Sequence, residues 1–205
     1  MRNAVLNRMM LFINNDSYSK DELEKIHYGL EIIYIFITKG IIIFTISYLL
    51  GILKYTLTFF ATYSILRSLA CGLHATKSWI CTLSSATIFI IIPYLCKLLI
   101  INNIVRIVIM IITTLLIFKY APADTKKRPI INPKKRLFLK LASSSICIIY
   151  IISSFFIKEN FILNAFMFSI LLETMLILPT TYKLFKLPYN NYINYLEALK
   201  KEGGN

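Results

Sequence analysis

The chain has 205 residues, 57% of them hydrophobic and only 16% charged, with a formal net charge of +13 and a mean hydropathy of +0.67. Soluble domains run at about 45–50% apolar and about 25% charged, so this composition argues against an ordinary soluble fold and for a chain that crosses a membrane several times. The basic residues cluster between apolar segments, which speaks for orientation in a membrane and attraction to acidic lipid or an acidic partner, not for nucleic acid.

Taken in chain order, the opening MRNAVLNRMMLFINND contains a five-residue apolar run, too short for the hydrophobic core of a cleavable signal peptide. Residues 1–30 are amphipathic, and Ser19 and Glu22 form an S-x-x-E capping box at the start of KDELEKIHYGLE. This predicts a helix on the membrane surface or against a bundle. Six apolar segments follow, near 31–50, 55–71, 79–96, 103–120, 138–157 and 160–179. Each approaches the roughly 20 residues that cross a bilayer, and the second is the weakest, being interrupted by Arg67. The expected fold is therefore an all-α polytopic membrane protein. It forms one integral membrane domain over 1–205: an amphipathic N-terminal helix region at 1–30, a six-span bundle at 31–179 and a tail at 180–205.

The placement of lysine and arginine orients the bundle. With the N-terminus in the cytoplasm, eighteen of the 23 basic residues fall on inner segments; only Lys54, Lys97, Arg106 and Lys158 fall outside, and Lys39 lies within the first span. Positive charge marks the cytoplasmic side, so both termini are expected there. Cysteines 71, 81, 96 and 147 show no metal-ligand spacing, and no disulfide framework or cofactor is expected.

The stretch RSLACGLHATKSWIC, residues 67–81, then lies at the cytoplasmic face. Cys81 is a candidate nucleophile and His74 a candidate general base. On one continuous helix the pair would sit about 10 Å apart, so a catalytic pair requires the backbone to bend between Gly72 and Trp79. Gly72 can adopt the backbone angles this needs. Cys71 is a possible competing nucleophile, read more simply as a small packing residue. Arg67 could bind a carboxylate or a developing oxyanion, or snorkel to headgroups. Asp124 and Glu173 are the carboxylates that could orient the histidine. Lys39 and Glu173, ionisable groups inside apolar spans, are expected to face each other or a wet cavity. The loop KYAPADTKKRPIINPKKRLFLK carries eight basic residues and prolines at 122, 129 and 133, which are expected to stop the helix and stiffen the loop. Lys126, Lys127 and Arg128 within it suit an acidic peptide.

Two blocks, RSLACGLHATKSWIC and KYAPADTKKRPI, resemble the accessory gene regulator B family, the membrane peptidases of Gram-positive peptide quorum sensing. Length, six-span layout and the amphipathic N-terminus agree across nearly the whole chain. One departure is Cys71, at a position where the family often carries the first of two glycines. The resemblance implies a cysteine endopeptidase in the cell membrane of a Gram-positive bacterium, with its active site at the cytoplasmic face and His74 and Cys81 as its catalytic pair. Its implied substrate is a small pro-peptide with an amphipathic leader and an acidic C-terminal tail. An acyl-thioester on Cys81 would release the tail, and an internal thiol or hydroxyl would close a thiolactone or lactone. Arg67, Gly72, Lys126, Lys127 and Arg128 are the expected supporting residues, and a homodimer is implied. The competing reading is a membrane exporter of the signalling peptide without proteolysis.

Overall fold

A computed structural model describes residues 6, 8–10, 19–73, 78–125 and 129–202. Two compact units divide the chain, Met1–Leu50 and Gly51–Asn205.

The first unit is dominated by helix α1, Lys20–Leu49. The predicted capping box is present: Ser19 Oγ accepts from the Glu22 N–H, and Glu22 Oε2 accepts from the Ser19 N–H at 2.9 Å. The helix runs unbroken through residue 30, where the sequence suggested a division between a surface helix and a first span. No proline or capping residue interrupts it there, and its window Glu22–Leu49 is long and apolar enough to cross a membrane. Large apolar side chains such as Phe36, Ile41 and Leu49 are exposed, a surface that suits lipid and not water.

The second unit contains α2 (Leu53–Ala70), α3 (Ser78–Leu98), α4 (Asn103–Tyr120), α5 (Pro133–Ser153), α6 (Asn160–Ile177), α7 (Pro179–Leu184) and α8 (Asn191–Glu202). Helix α6 is its centre and packs against α2, α3, α4 and α5. It is apolar around its whole circumference and buries Leu163, Phe166, Met167, Ile170 and Ile177, the pattern of an enclosed helix. A few polar contacts register α6 and the helices around it. Thr62 and Ser169 share a hydrogen bond at 2.9 Å, the Tyr150 hydroxyl donates to the Thr62 carbonyl at 2.9 Å, and Thr174 donates to the Thr113 carbonyl at 3.3 Å. Where no water competes, such bonds fix which helix faces meet.

Helices α2 and α6 run parallel. Tyr55 meets Phe161 at one end with ring centroids 5.1 Å apart, Thr62 meets Ser169 midway, and Arg67 meets Glu173 at the other end. Among the described residues, five helices are long and apolar enough to cross a membrane: α1, α3, α4, α5 and α6. The predicted span at 55–71 does form a helix, but α2 falls short in apolarity. Its polar residues Thr56, Thr62 and Arg67 are turned into the unit, where Thr56 and Thr62 are buried.

One proline behaves differently from expectation. Pro133 opens α5 instead of ending a helix. It occupies the first turn, where no N–H is needed, and Asn132 caps the helix by accepting from the Lys134 and Lys135 N–H groups. The helix consequently starts five residues before the predicted 138.

Candidate functional site

Three segments converge at the end of α2. Cys71 has φ 62° and Gly72 has φ 102°, so the chain leaves the helix through two consecutive left-handed residues. The Ala123 N–H donates to the Ala70 carbonyl at 3.1 Å, and the Gly72 N–H donates to the Ala123 carbonyl at 2.7 Å. A parallel bridge between Cys71 and Ala123 joins the 67–73 block to the 121–125 block. The Leu73 N–H then donates to the Leu176 carbonyl on α6 at 3.1 Å. The two motif blocks, fifty residues apart in the chain, are thus stitched together by backbone hydrogen bonds.

Arg67 braces this junction. Its Nη1 donates to the Cys71 carbonyl and to the Glu173 carboxylate, 3.2 Å from Oε1, and its Nη2 donates to the Leu73 carbonyl. The planar guanidinium fork thereby satisfies two carbonyls that the turn removes from helical pairing, while Glu173 balances its charge. Glu173 is fully buried and Arg67 is 20% exposed. The partner that Glu173 required is therefore Arg67.

Asp124 has a different task. Its carboxylate accepts from the Asn191 N–H at 3.0 Å and the Tyr192 N–H at 2.8 Å, capping the start of α8. The Tyr182 hydroxyl donates to the Asp124 carbonyl at 3.1 Å. Burial pushes the Tyr182 phenol above the ordinary tyrosine range, which keeps that donor proton in place. Both carboxylates considered as orienting groups for His74 already hold other partners.

A cavity of about 800 Å³ lies between the two blocks, lined by Arg67, Cys71, Gly72, Asp124, Ile130, Lys135 and Leu139 among others. Its lining combines apolar side chains with the charged Arg67, Lys135 and Asp124. Arg67 and Gly72 line it together; Cys81 does not. Cys81 lies on α3, three residues after Ser78, and is half-buried, with its carbonyl accepting from the Ser85 hydroxyl at 2.7 Å. His74, Lys126, Lys127 and Arg128 lie outside the described residues. The backbone acceptors at Ala123 and Leu176 were invisible to sequence reasoning, because main-chain carbonyls leave no residue signature. Glu173 was visible as a carboxylate in an apolar span, but nothing in the sequence pointed to Arg67 as its partner.

These features define a helical protein whose helices can cross a membrane, with a loop-lined cavity at one end of its larger unit. The chain belongs to the accessory gene regulator B family, whose model matches residues 6–177. It is 37% identical to an AgrB-like protein of Clostridium acetobutylicum over 180 residues, covering 88% of this chain and 86% of that protein. It is 34% identical to an AgrB-like protein of Listeria innocua over 187 residues, covering 90% and 92%. It is also 34% identical to accessory gene regulator protein B of Staphylococcus carnosus over 137 residues, covering 67% and 71%. No solved structure matches.

Proposed function

We propose that this protein is a multi-pass cysteine endopeptidase of the cell membrane that removes the acidic tail of a quorum-sensing pro-peptide and cyclises its core. The observation that carries the reading is the joining of the two motif blocks around one cavity. The chain enters the His74 stretch from Leu73, which is tied to α6, and re-emerges at Ser78 on the helix that carries Cys81. His74 directly follows Leu73 in the chain and Cys81 lies three residues after Ser78, which supports reading them as a pair.

The chemistry follows from the residue types. His74 accepts the Cys81 thiol proton, and the thiolate attacks the peptide carbonyl at the core–tail junction. The C–N bond breaks, the imidazolium returns its proton to the departing amine, and the core remains as a thioester on Cys81. A thiol or hydroxyl within the core then attacks that thioester, closes a thiolactone or lactone and frees Cys81. The acyl group stays activated throughout, so ring closure needs no ATP. Exclusion of water near the interface limits hydrolysis.

The parallel course of α2 beside α6 supports a sixth span: a helix matching a spanning helix from end to end traverses the same thickness. With six spans, both termini and the site lie on the cytoplasmic side. The working assembly is a homodimer. Lys126, Lys127 and Arg128 receive the acidic tail. Replacing all three with glutamine is expected to weaken peptide binding and flatten its salt dependence; binding with an unchanged salt slope removes that role.

The deciding experiment is intact-protein mass spectrometry on the protein in liposomes with its pro-peptide. The expected result is a hydroxylamine-sensitive adduct of the core's mass on Cys81, absent in Cys81→Ala and His74→Ala. A peptide that binds but leaves no adduct and releases no tail would instead favour an exporter.

A further inference from the structure

A second cavity, of about 600 Å³, shares no lining residue with the one beside Arg67. Its wall carries three cations, Lys119 from the end of α4 and Arg136 and Lys140 from the start of α5, together with Tyr120, Tyr189 and Tyr192. Each cation rests on an aromatic face. The Lys119 ammonium is 5.2 Å from the Tyr120 ring centre, the Lys140 ammonium 4.7 Å from that of Phe118, and the Arg136 guanidinium carbon 3.6 Å from that of Tyr192. Such stacking holds cationic side chains in place without neutralising them. Asp124 Oδ2 lies 3.7 Å from Arg136 Nη1, and the two Asp124 oxygens also accept the α8 backbone N–H groups. Among the described residues, this Arg136 Nη1 is buried and makes no hydrogen bond, its ion-pair partner being Asp124. The cavity therefore gathers positive charge that suits an anion.

Its surroundings identify the anion. Leu137 lines the cavity, and Phe118, Phe138 and Leu141 lie beside its cations in the chain; all four are between 50% and 65% exposed. The exposed apolar surface continues along α4 through Leu115 and Ile111 and along α5 through Ile148 and Ile152. Both helices are long and apolar enough to cross a membrane. An anion here sits where hydrocarbon surface gives way to lysine and tyrosine, the depth of lipid phosphates in a bilayer. An acidic peptide would need no hydrocarbon track leading away from its charge. We infer that this cavity binds the phosphate-bearing headgroup of an anionic phospholipid, with the acyl chains lying along α4 and α5. The inference rests on these helices crossing a membrane and not on the peptidase chemistry.

The test is native mass spectrometry of the full-length protein in a neutral detergent with equal amounts of phosphatidylglycerol and phosphatidylcholine. Preferential retention of phosphatidylglycerol is expected, falling about tenfold in Lys119→Gln/Lys140→Gln and restored in Lys119→Arg/Lys140→Arg. Lys54→Gln/Lys97→Gln, at the opposite end of the unit, is expected to leave retention unchanged. Equal retention of both lipids overturns the inference, as does an equal loss in the Lys54/Lys97 variant, which would reflect overall charge. Displacement by millimolar inorganic phosphate would make the cavity a free-phosphate site and also overturn it. So would a Lys119/Lys140 variant that keeps lipid while losing affinity for an acidic peptide.

Discussion

A Cβ added at Gly72 would lie 2.6 Å from Arg67 Nη1 and 3.1 Å from both the Leu176 carbonyl oxygen and Ile177 Cγ2, at a φ of +102°. Backbone angle and space therefore oppose any side chain there. Gly72→Ala is expected to cost about 1–3 kcal/mol, seen as a lower melting temperature in detergent, and to abolish Cys81 acylation because the turn into His74 shifts. Wild-type acylation in Gly72→Ala would show that the turn does not position His74 for the proposed reaction. Arg67 and Glu173 allow a sharper test. Breaking a buried pair by losing one member typically costs about 3–5 kcal/mol. Exchanging the two residues in Arg67→Glu/Glu173→Arg restores opposite charges, but a glutamate cannot donate to the Cys71 and Leu73 carbonyls. The exchange is thus expected to recover melting temperature over either single variant without recovering acylation. Recovery of both would reduce Arg67 to a charge partner. Cys71 was legible as a departure from a glycine pair, and its φ of 62° gives the physical content: it occupies a conformation that glycine adopts more easily.

At the level of elements, apolar runs separated by charge were easy to read, and most helices lie where such runs occur. The errors came where local signals permit two outcomes. A proline ends one helix as readily as it begins another, and Asn132 decides the matter at Pro133 by capping the next two amides. In the tail, α7 and α8 are distinct helices, and α8 depends on a cap sixty-seven residues earlier in the chain. Asp124→Ala should remove that cap and cost about 1 kcal/mol. Hydrogen exchange should then accelerate in Asn191–Glu202 while α4 and α6 stay protected. Unchanged exchange in α8 would mean that Tyr182 and Arg136 hold it without the carboxylate.

For the whole molecule, α2 and α6 run parallel, as the proposed sixth span requires. Because the ends of α2, α4 and α6 meet around Ala70, Ala123 and Leu176, the intervening α3 and α5 run the other way. The end where they meet carries Arg67, Lys119 and Arg136, and the opposite end Lys54, Lys97 and Arg106. In a background with Cys71 and Cys81 replaced by serine, Ile100→Cys is expected to react with an impermeant thiol reagent from outside intact cells. Leu184→Cys is expected to react only after permeabilisation. Both native residues are highly exposed, so accessibility does not limit the reaction. Labelling of both from the same side would remove the six-span arrangement.

The sequence by itself determined the class of protein, the orientation bias and the two blocks that carry the family signature, because hydropathy, charge and motif spacing are properties of the linear chain. It also marked Glu173 as a charge that needed a partner. Only the tertiary structure decided that this partner is Arg67, that Asp124 caps a distant helix, and that Ala123 and Leu176 hold the turn at Gly72. Those assignments rest on carbonyl and amide groups that every residue possesses, and their pairing is set by which helices lie side by side.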